Sequence, residues 1–183
     1  HQSGVFLLPR PIHLDEIPMV DTSRLAQILT LMRASYSFVI MDLSKSYSEL
    51  DLEAIHLSDT ILLVTQLDLP SLRNVVRILT SLRDLKLESK VKILVNRVGL
   101  ESGQISLKRA KETLGQEIFW QIPNDYGVMV QVRNNGVPLL QQAPKSAITA
   151  SFKGLADRLN GKSDDLATDK SSKKTWLSYL TSR

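Results

Sequence analysis

Apolar positions fall in two rhythms along this chain, unbroken short runs and stripes at helical spacing. Residues 36–44 (YSFVIMDLS) carry the run Phe38, Val39, Ile40, Met41 and end it in Asp42. A run without alternation predicts a strand covered on both faces, and an acid at its carboxyl end lies where open α/β sheets hold their ligand chemistry. Residues 61–64 repeat the pattern and lead into Thr65-Gln66-Leu67-Asp68; residues 91–95 repeat it again and lead into Asn96-Arg97. Residues 4–9 (GVFLLP) predict a further short buried strand, after which Pro9-Arg10-Pro11 force a loop that lasts through Pro18. Residues 118–122 predict the last strand, closed by Pro123-Asn124-Asp125.

Helical stripes lie between these runs. Leu25, Ile28, Leu29 and Met32 fall on one face of a helix over 23–34, capped by Asp21 or Thr22. A helix over 49–57 turns Leu50, Ala54, Ile55 and Leu57 inward. Asp68-Leu69-Pro70-Ser71 is a helix start with a capping acid and a proline in the first turn, and the helix to about Lys86 buries Leu72, Val75, Val76, Leu79, Leu82 and Leu85. Helices over 106–114, closed by Gly115, over 127–133 and over 146–159 complete the series. Strand and helix thus alternate about four times, which predicts an α/β fold: a mostly parallel sheet with helices on both faces.

Composition narrows the function classes. The 183 residues, 43% hydrophobic, suffice for one core, so one domain is expected over 1–160, followed by a Ser-, Asp- and Lys-rich linker over 161–172 and a short tail over 173–183. With no cysteine and only three scattered histidines, disulfides and thiolate metal sites are excluded and a structural metal has no ligand set. No apolar run approaches the ~20 residues of a spanning helix, so a cytoplasmic protein is expected, peripheral at the inner face of a membrane if its tail binds there. The net charge is +4, of which +2 lies in residues 160–183. The globular part therefore gives little support to nucleic acid as a partner. Arg73 and Arg77, at i and i+4, read as a solvated helix face.

In a parallel sheet all strands end along one edge, so Asp42, Gln66, Asp68, Asn96, Arg97 and Asn124 are expected on one rim. Such a set suits a nucleotide, the acid holding a hydrated magnesium ion and an amide reading a base edge; polar loop residues after every strand are the plainer explanation. The ordered segments VIMDL, ILLVTQLDLPSLRN, KILVNRV, QIPND and NNGVPLLQQAPKSAITASFKGLADRL together resemble the ParA/MinD branch of P-loop ATPases. Within it they are most similar to the CpaE/TadZ proteins that localise type IVb (Flp/Tad) pilus assembly, over about residues 4–159.

By position, the resemblance implies that Asp42 is the Walker B acid that helps hold Mg²⁺. It implies that Asn96, with Arg97 beside it, reads adenine and that Pro123, Asn124 and Asp125 form the turn around the base. Gly136-Val137-Pro138 matches the family's Gly-x-Pro. The cofactors implied are ATP and Mg²⁺, and the behaviour implied is a homodimer that sandwiches nucleotide and partners with pilus or secretion assembly proteins. Two positions depart from the family. No G-x-x-x-x-G-K-[ST] loop occurs in these residues, and Ser44 stands where the family often has proline. Without that loop the chain alone is expected neither to hold the β- and γ-phosphates nor to hydrolyse ATP. Either the loop lies upstream of a fold incomplete at its N-terminus, which the non-methionine start favours, or the protein is a degenerate relative. Unpaired apolar strands would make the isolated chain poorly soluble or oligomeric.

The tail is a separate signal. Lys173, Lys174, Trp176, Leu177 and Leu180 would form a small basic amphipathic face if helical, similar to the reversible membrane anchor of MinD-like proteins; a frayed tail or a partner-docking peptide fits equally. The alternatives to pilus localisation are a non-enzymatic interaction module of the same fold and a chromosome-partitioning, plasmid-partitioning or MinD-type positioning ATPase.

Overall fold

The computed structural model describes residues 4–9, 21–44, 47–100 and 103–161. The tail residues named above, the linker beyond Gly161 and the expected loop through Pro18 lie outside them. The chain divides into two compact units, residues 1–61 and 62–183.

The first unit carries α1 (Thr22–Ser35) and α2 (Glu49–Leu57), which pack on each other. Asp21 caps α1 by accepting from the Arg24 N–H. Arg33 at the end of α1 donates to the Leu57 carbonyl and to both carboxylate oxygens of Asp59, joining α1 to the end of α2. Two expectations fail here. Residues 4–9 are not a buried strand: they form no strand and are exposed, Val5 to Leu8 at 61–84%. Residues 36–44 are not a strand covered on both faces either, since Phe38 is 69% and Ile40 92% exposed. The physical reason is the same in both. An apolar run becomes a buried strand only when neighbours pair its backbone and helices cover its faces, and neither stretch joins a ladder among the described residues. Phe6 and Tyr36 do meet, their ring centroids 5.3 Å apart.

The second unit holds the sheet, three strands among the described residues, in the order β1 (Ile61–Thr65), β2 (Val91–Val98), β3 (Ile118–Pro123). β2 and β3 are parallel. Helices α3 (Leu69–Asp84) and α4 (Leu107–Leu114) bury Leu72, Val75, Leu79, Ala110 and Leu114 against Ile93 and Val95 on one face. On the other face Leu94 and Ile122 meet Ile148 and Leu155 of α7 (Ala147–Leu159), with α5 (Tyr126–Asn135) and α6 (Leu139–Gln142) beside them. The middle of β2, Ile93 to Val95, is therefore apolar without alternation because it is covered twice, and the α/β fold with helices on both faces stands. Val76 and Leu85, expected inside, are exposed at the margin of the α3 stripe.

α7 is keyed to β3 by one indole. Trp120 Nε1 donates to Ser151 Oγ at 3.1 Å, and Ser151 Oγ donates to the Gln121 carbonyl at 3.0 Å. The ring lies so close to Gly154 that a Cβ there would sit 2.9 Å from two ring carbons. Trp120 is thus a packing residue, as its place within a strand implies.

Candidate functional site

The register of β2 against β3 assembles the carboxyl-end residues. Val95 pairs with Gln121 and Val98 with Pro123, so β2 spends one residue more than β3 over the same interval. The extra residue falls at Asn96-Arg97, and Arg97 takes the left-handed conformation, φ +57°. For a side-chain-bearing residue this costs about 1 kcal/mol, and such bulges recur where a strand end must re-aim a side chain. Beyond the bulge the Asn124 N–H donates to the Val98 carbonyl at 2.8 Å, bringing Pro123-Asn124-Asp125 alongside the end of β2. Asp125 then caps α5, accepting from the Val128 N–H at 3.2 Å.

Asn96 has a determined orientation. The Arg97 N–H donates to its side-chain oxygen at 2.9 Å, and because an N–H can only donate, the facing atom must be Oδ1. The amide N–H₂ is thereby turned outward. Asn96 also lines a pocket of about 160 Å³ with Thr65 and Gln66 from the end of β1 and Ser71 and Asn74 from α3. Typical small-molecule sites exceed ~300 Å³, so this volume is too small to enclose a whole nucleotide. Asp68 is engaged in capping α3, accepting from the N–H and hydroxyl of Ser71, and the Ile105 N–H donates to the Leu67 carbonyl, tying the loops after β1 and β2 together. The structure therefore brings Gln66, Asn96, Arg97, Pro123, Asn124 and Asp125 to one end of the sheet.

Asp42 belongs to the first unit, on the exposed stretch 36–44. No group of three or more potential ligands gathers among the described residues. The loop that follows Asp42 is held by Asp51, a residue the sequence reading passed over. Its carboxylate accepts from the N–H and hydroxyl of Ser44 and from the N–H and hydroxyl of Ser48, while the Asp51 N–H donates to Ser48 Oγ. Burial alone would raise this carboxyl, but the bonds from Ser44 and Ser48 outweigh it and bring it down to about 2. The Ser-x-x-Asp spacing at 48–51, a capping box, is the signal that could have found it. Gln104 was also missed. Its Oε1 accepts from the Gly99 and Leu100 N–H groups, and its Nε2 donates to the Arg97 carbonyl at 2.8 Å. A glutamine in a glycine-containing loop has no sequence signature.

Arg73 and Arg77 are solvent-facing on α3, Arg77 donating to Asn74 on the same helix. No helix of the described residues is long and apolar enough to cross a membrane.

Comparison with solved structures bears on the fold. A ParA family ATPase from Chlorobium tepidum TLS superimposes with a TM-score of 0.76 at 24% identity, over 84% of this chain and 63% of that one. The chain has the ParA/MinD fold. A MinC:MinD cell division complex from Aquifex aeolicus gives a TM-score of 0.70 at 22% identity, over 80% and 62% of the two chains. MinD of Pyrococcus horikoshii OT3, solved with Mg-ADP, gives 0.70 at 18%, over 82% and 61%. Among curated proteins, a candidate septum site-determining protein MinD of Oltmannsiellopsis viridis is 28% identical over 141 residues, 75% of this chain. The chain spans 44% of the length of that relative. No family model matches the chain. Sequence and fold likeness together support the ParA/MinD superfamily of P-loop ATPases. One ParA/MinD-fold neighbour was solved with magnesium and a nucleotide, and another in complex with a partner protein, MinC.

Proposed function

We propose that this chain supplies the base-binding rim and the magnesium-side acid of an ATP-dependent ParA/MinD-type positioning protein. The observation that carries the proposal is the parallel register that sets Asn96 and Arg97 beside Pro123, Asn124 and Asp125. Asn96, its amide oriented by the Arg97 N–H, would read adenine, and the turn at 123–125 would wrap it. Asp42 would hold Mg²⁺ through water. The residues present suit the base and not the triphosphate: for ATP to be held and hydrolysed, a glycine-rich loop with its lysine would have to be supplied from outside these residues. With such a loop supplied, nucleotide would join two copies of the chain, and a tail bearing Lys173, Lys174, Trp176, Leu177 and Leu180 would reach a membrane or a partner.

The test is saturation-transfer NMR of the 183-residue chain with AMP, a method sensitive to the weak binding expected without a phosphate loop. Transfer to the adenine protons, lost in Asn96→Ala, supports the proposal. Transfer that ignores the base, or that survives Asn96→Ala unchanged, overturns it.

The finer role we propose is localisation of a type IVb (Flp/Tad) pilus or secretion assembly, supported by the five ordered segments that resemble CpaE/TadZ. Deleting the gene should then remove surface pili and leave septum placement normal. Misplaced septa with normal pili would instead favour septum-site determination, the role printed in the name of the curated relative.

A further inference from the structure

We infer that Gln104 is the positioning residue for the Asn96 amide and so sets the preference for one purine over the other. The inference rests on the reading of Asn96 as the base-contacting residue. The bulge at Asn96-Arg97 takes backbone groups out of the β2 ladder, and each of them needs a partner. Gln104 provides three bonds at once. Its Nε2 donates to the Arg97 carbonyl at 2.8 Å, and its Oε1 accepts from the Gly99 N–H at 3.0 Å and the Leu100 N–H at 3.2 Å. Arg97 is thereby held at its carbonyl by Gln104 and at its N–H by Asn96 Oδ1, at 2.9 Å. It stays at φ +57° because both of its polar backbone groups are taken.

The chemical consequence lies at the next atom. With Oδ1 facing the Arg97 N–H, the Asn96 amide cannot flip, and it offers N–H₂ as donor and the second lone pair of Oδ1 as acceptor. Adenine matches this pair with N7 and its exocyclic N6–H₂. Guanine presents O6 where adenine has N6–H₂, so an oxygen meets Oδ1 and the contact is repulsive. Release the Arg97 backbone and the amide can turn over, which removes the basis for telling the two purines apart. Gln104 touches no ligand in this scheme; it acts through Arg97 and Asn96.

Glutamine is needed because both ends of its amide are used. The substitution Gln104→Glu would keep an acceptor for Gly99 and Leu100 but set an oxygen against the Arg97 carbonyl, and Gln104→Ala would remove all three bonds.

The experiment is competition between AMP and GMP for the 183-residue chain, read by saturation-transfer NMR, with the melting temperature recorded alongside. Wild type should prefer AMP, and Gln104→Ala and Gln104→Glu should each lower that preference at least about threefold, the factor expected of one lost hydrogen-bond discrimination. A purely structural role would lower the melting temperature and leave the ratio unchanged, which would overturn the inference. A preference that Asn96→Ala abolishes and Gln104→Ala leaves intact also overturns it, while sparing the reading of Asn96. A wild-type chain without purine preference overturns both. Should the variants fail to fold, amide hydrogen exchange in the unaltered chain decides: Gly99 and Leu100 are expected to be protected, and exchange at free-peptide rates would overturn the inference.

Discussion

Residues 91–95 and residues 36–41 carry the same signature, a short apolar run that closes on polar side chains, and they have opposite fates. In β2 every residue from Ile93 to Val95 is buried, because α3 and α4 cover one face, α5 and α7 the other, and strands pair on both sides. Residues 36–41 lie in no strand, with Ile40 almost fully in solvent. The difference teaches that apolar sequence specifies a demand for cover, while the fold's other elements decide whether that demand is met.

The sharpest way to break the comparison is to place the same charge in both. Val95→Asp should cost more than about 4 kcal/mol in urea unfolding, because an unpaired carboxylate enters a site with no solvent exposure. Ile40→Asp should change stability by less than about 0.5 kcal/mol. Equal losses would mean that Ile40 is covered in solution and that the two runs behave alike after all.

Next in size is the seam between α7 and β3. Gly154→Ala pushes a methyl to within 2.9 Å of the Trp120 ring, and a packed indole cannot yield without moving the helix. A loss of about 1–3 kcal/mol is expected, and an unchanged unfolding midpoint would show that α7 is held elsewhere.

A pH-dependent effect belongs to Asp51 in the first unit. Its folded carboxyl is depressed to about 2, so its contribution is present above the unfolded value near 4 and is lost as pH falls from there through about 2. The contribution is on the order of 1–2 kcal/mol, and Asp51→Asn should flatten the acid limb of the stability curve over that window. A mutant curve parallel to wild type from about pH 5 to about pH 2 would show that the Ser44 and Ser48 bonds do not favour the ionised form.

Much of the fold was legible in the chain. The helix over 49–57 occurs as expected, and Asp68, Ser106 and Gly115 bound their helices because capping depends on a side chain and the few residues next to it. The five rim residues from Asn96 to Asp125 come together because strand-end position follows from local sequence plus parallel pairing. What was not legible depended on residues distant in the chain. Residues 4–9 and 36–44 look like strands in isolation, and only the absence of a ladder around them among the described residues reverses that. Strand β2 runs past its expected end because the bulge at Arg97 is stabilised by Gln104, seven positions later. The turn α6 follows Pro138 without a helical stripe to announce it.

Trp120 has a practical consequence. Its indole is bonded to Ser151 and lies against Gly154, so its emission senses whether α7 remains seated on β3. The chain holds one other tryptophan, Trp176. Replacing that one with phenylalanine would leave a single tryptophan, which excitation at the red edge of the aromatic band selects over the tyrosines, and the detachment of the last described helix could then be timed in a stopped-flow instrument without any added dye.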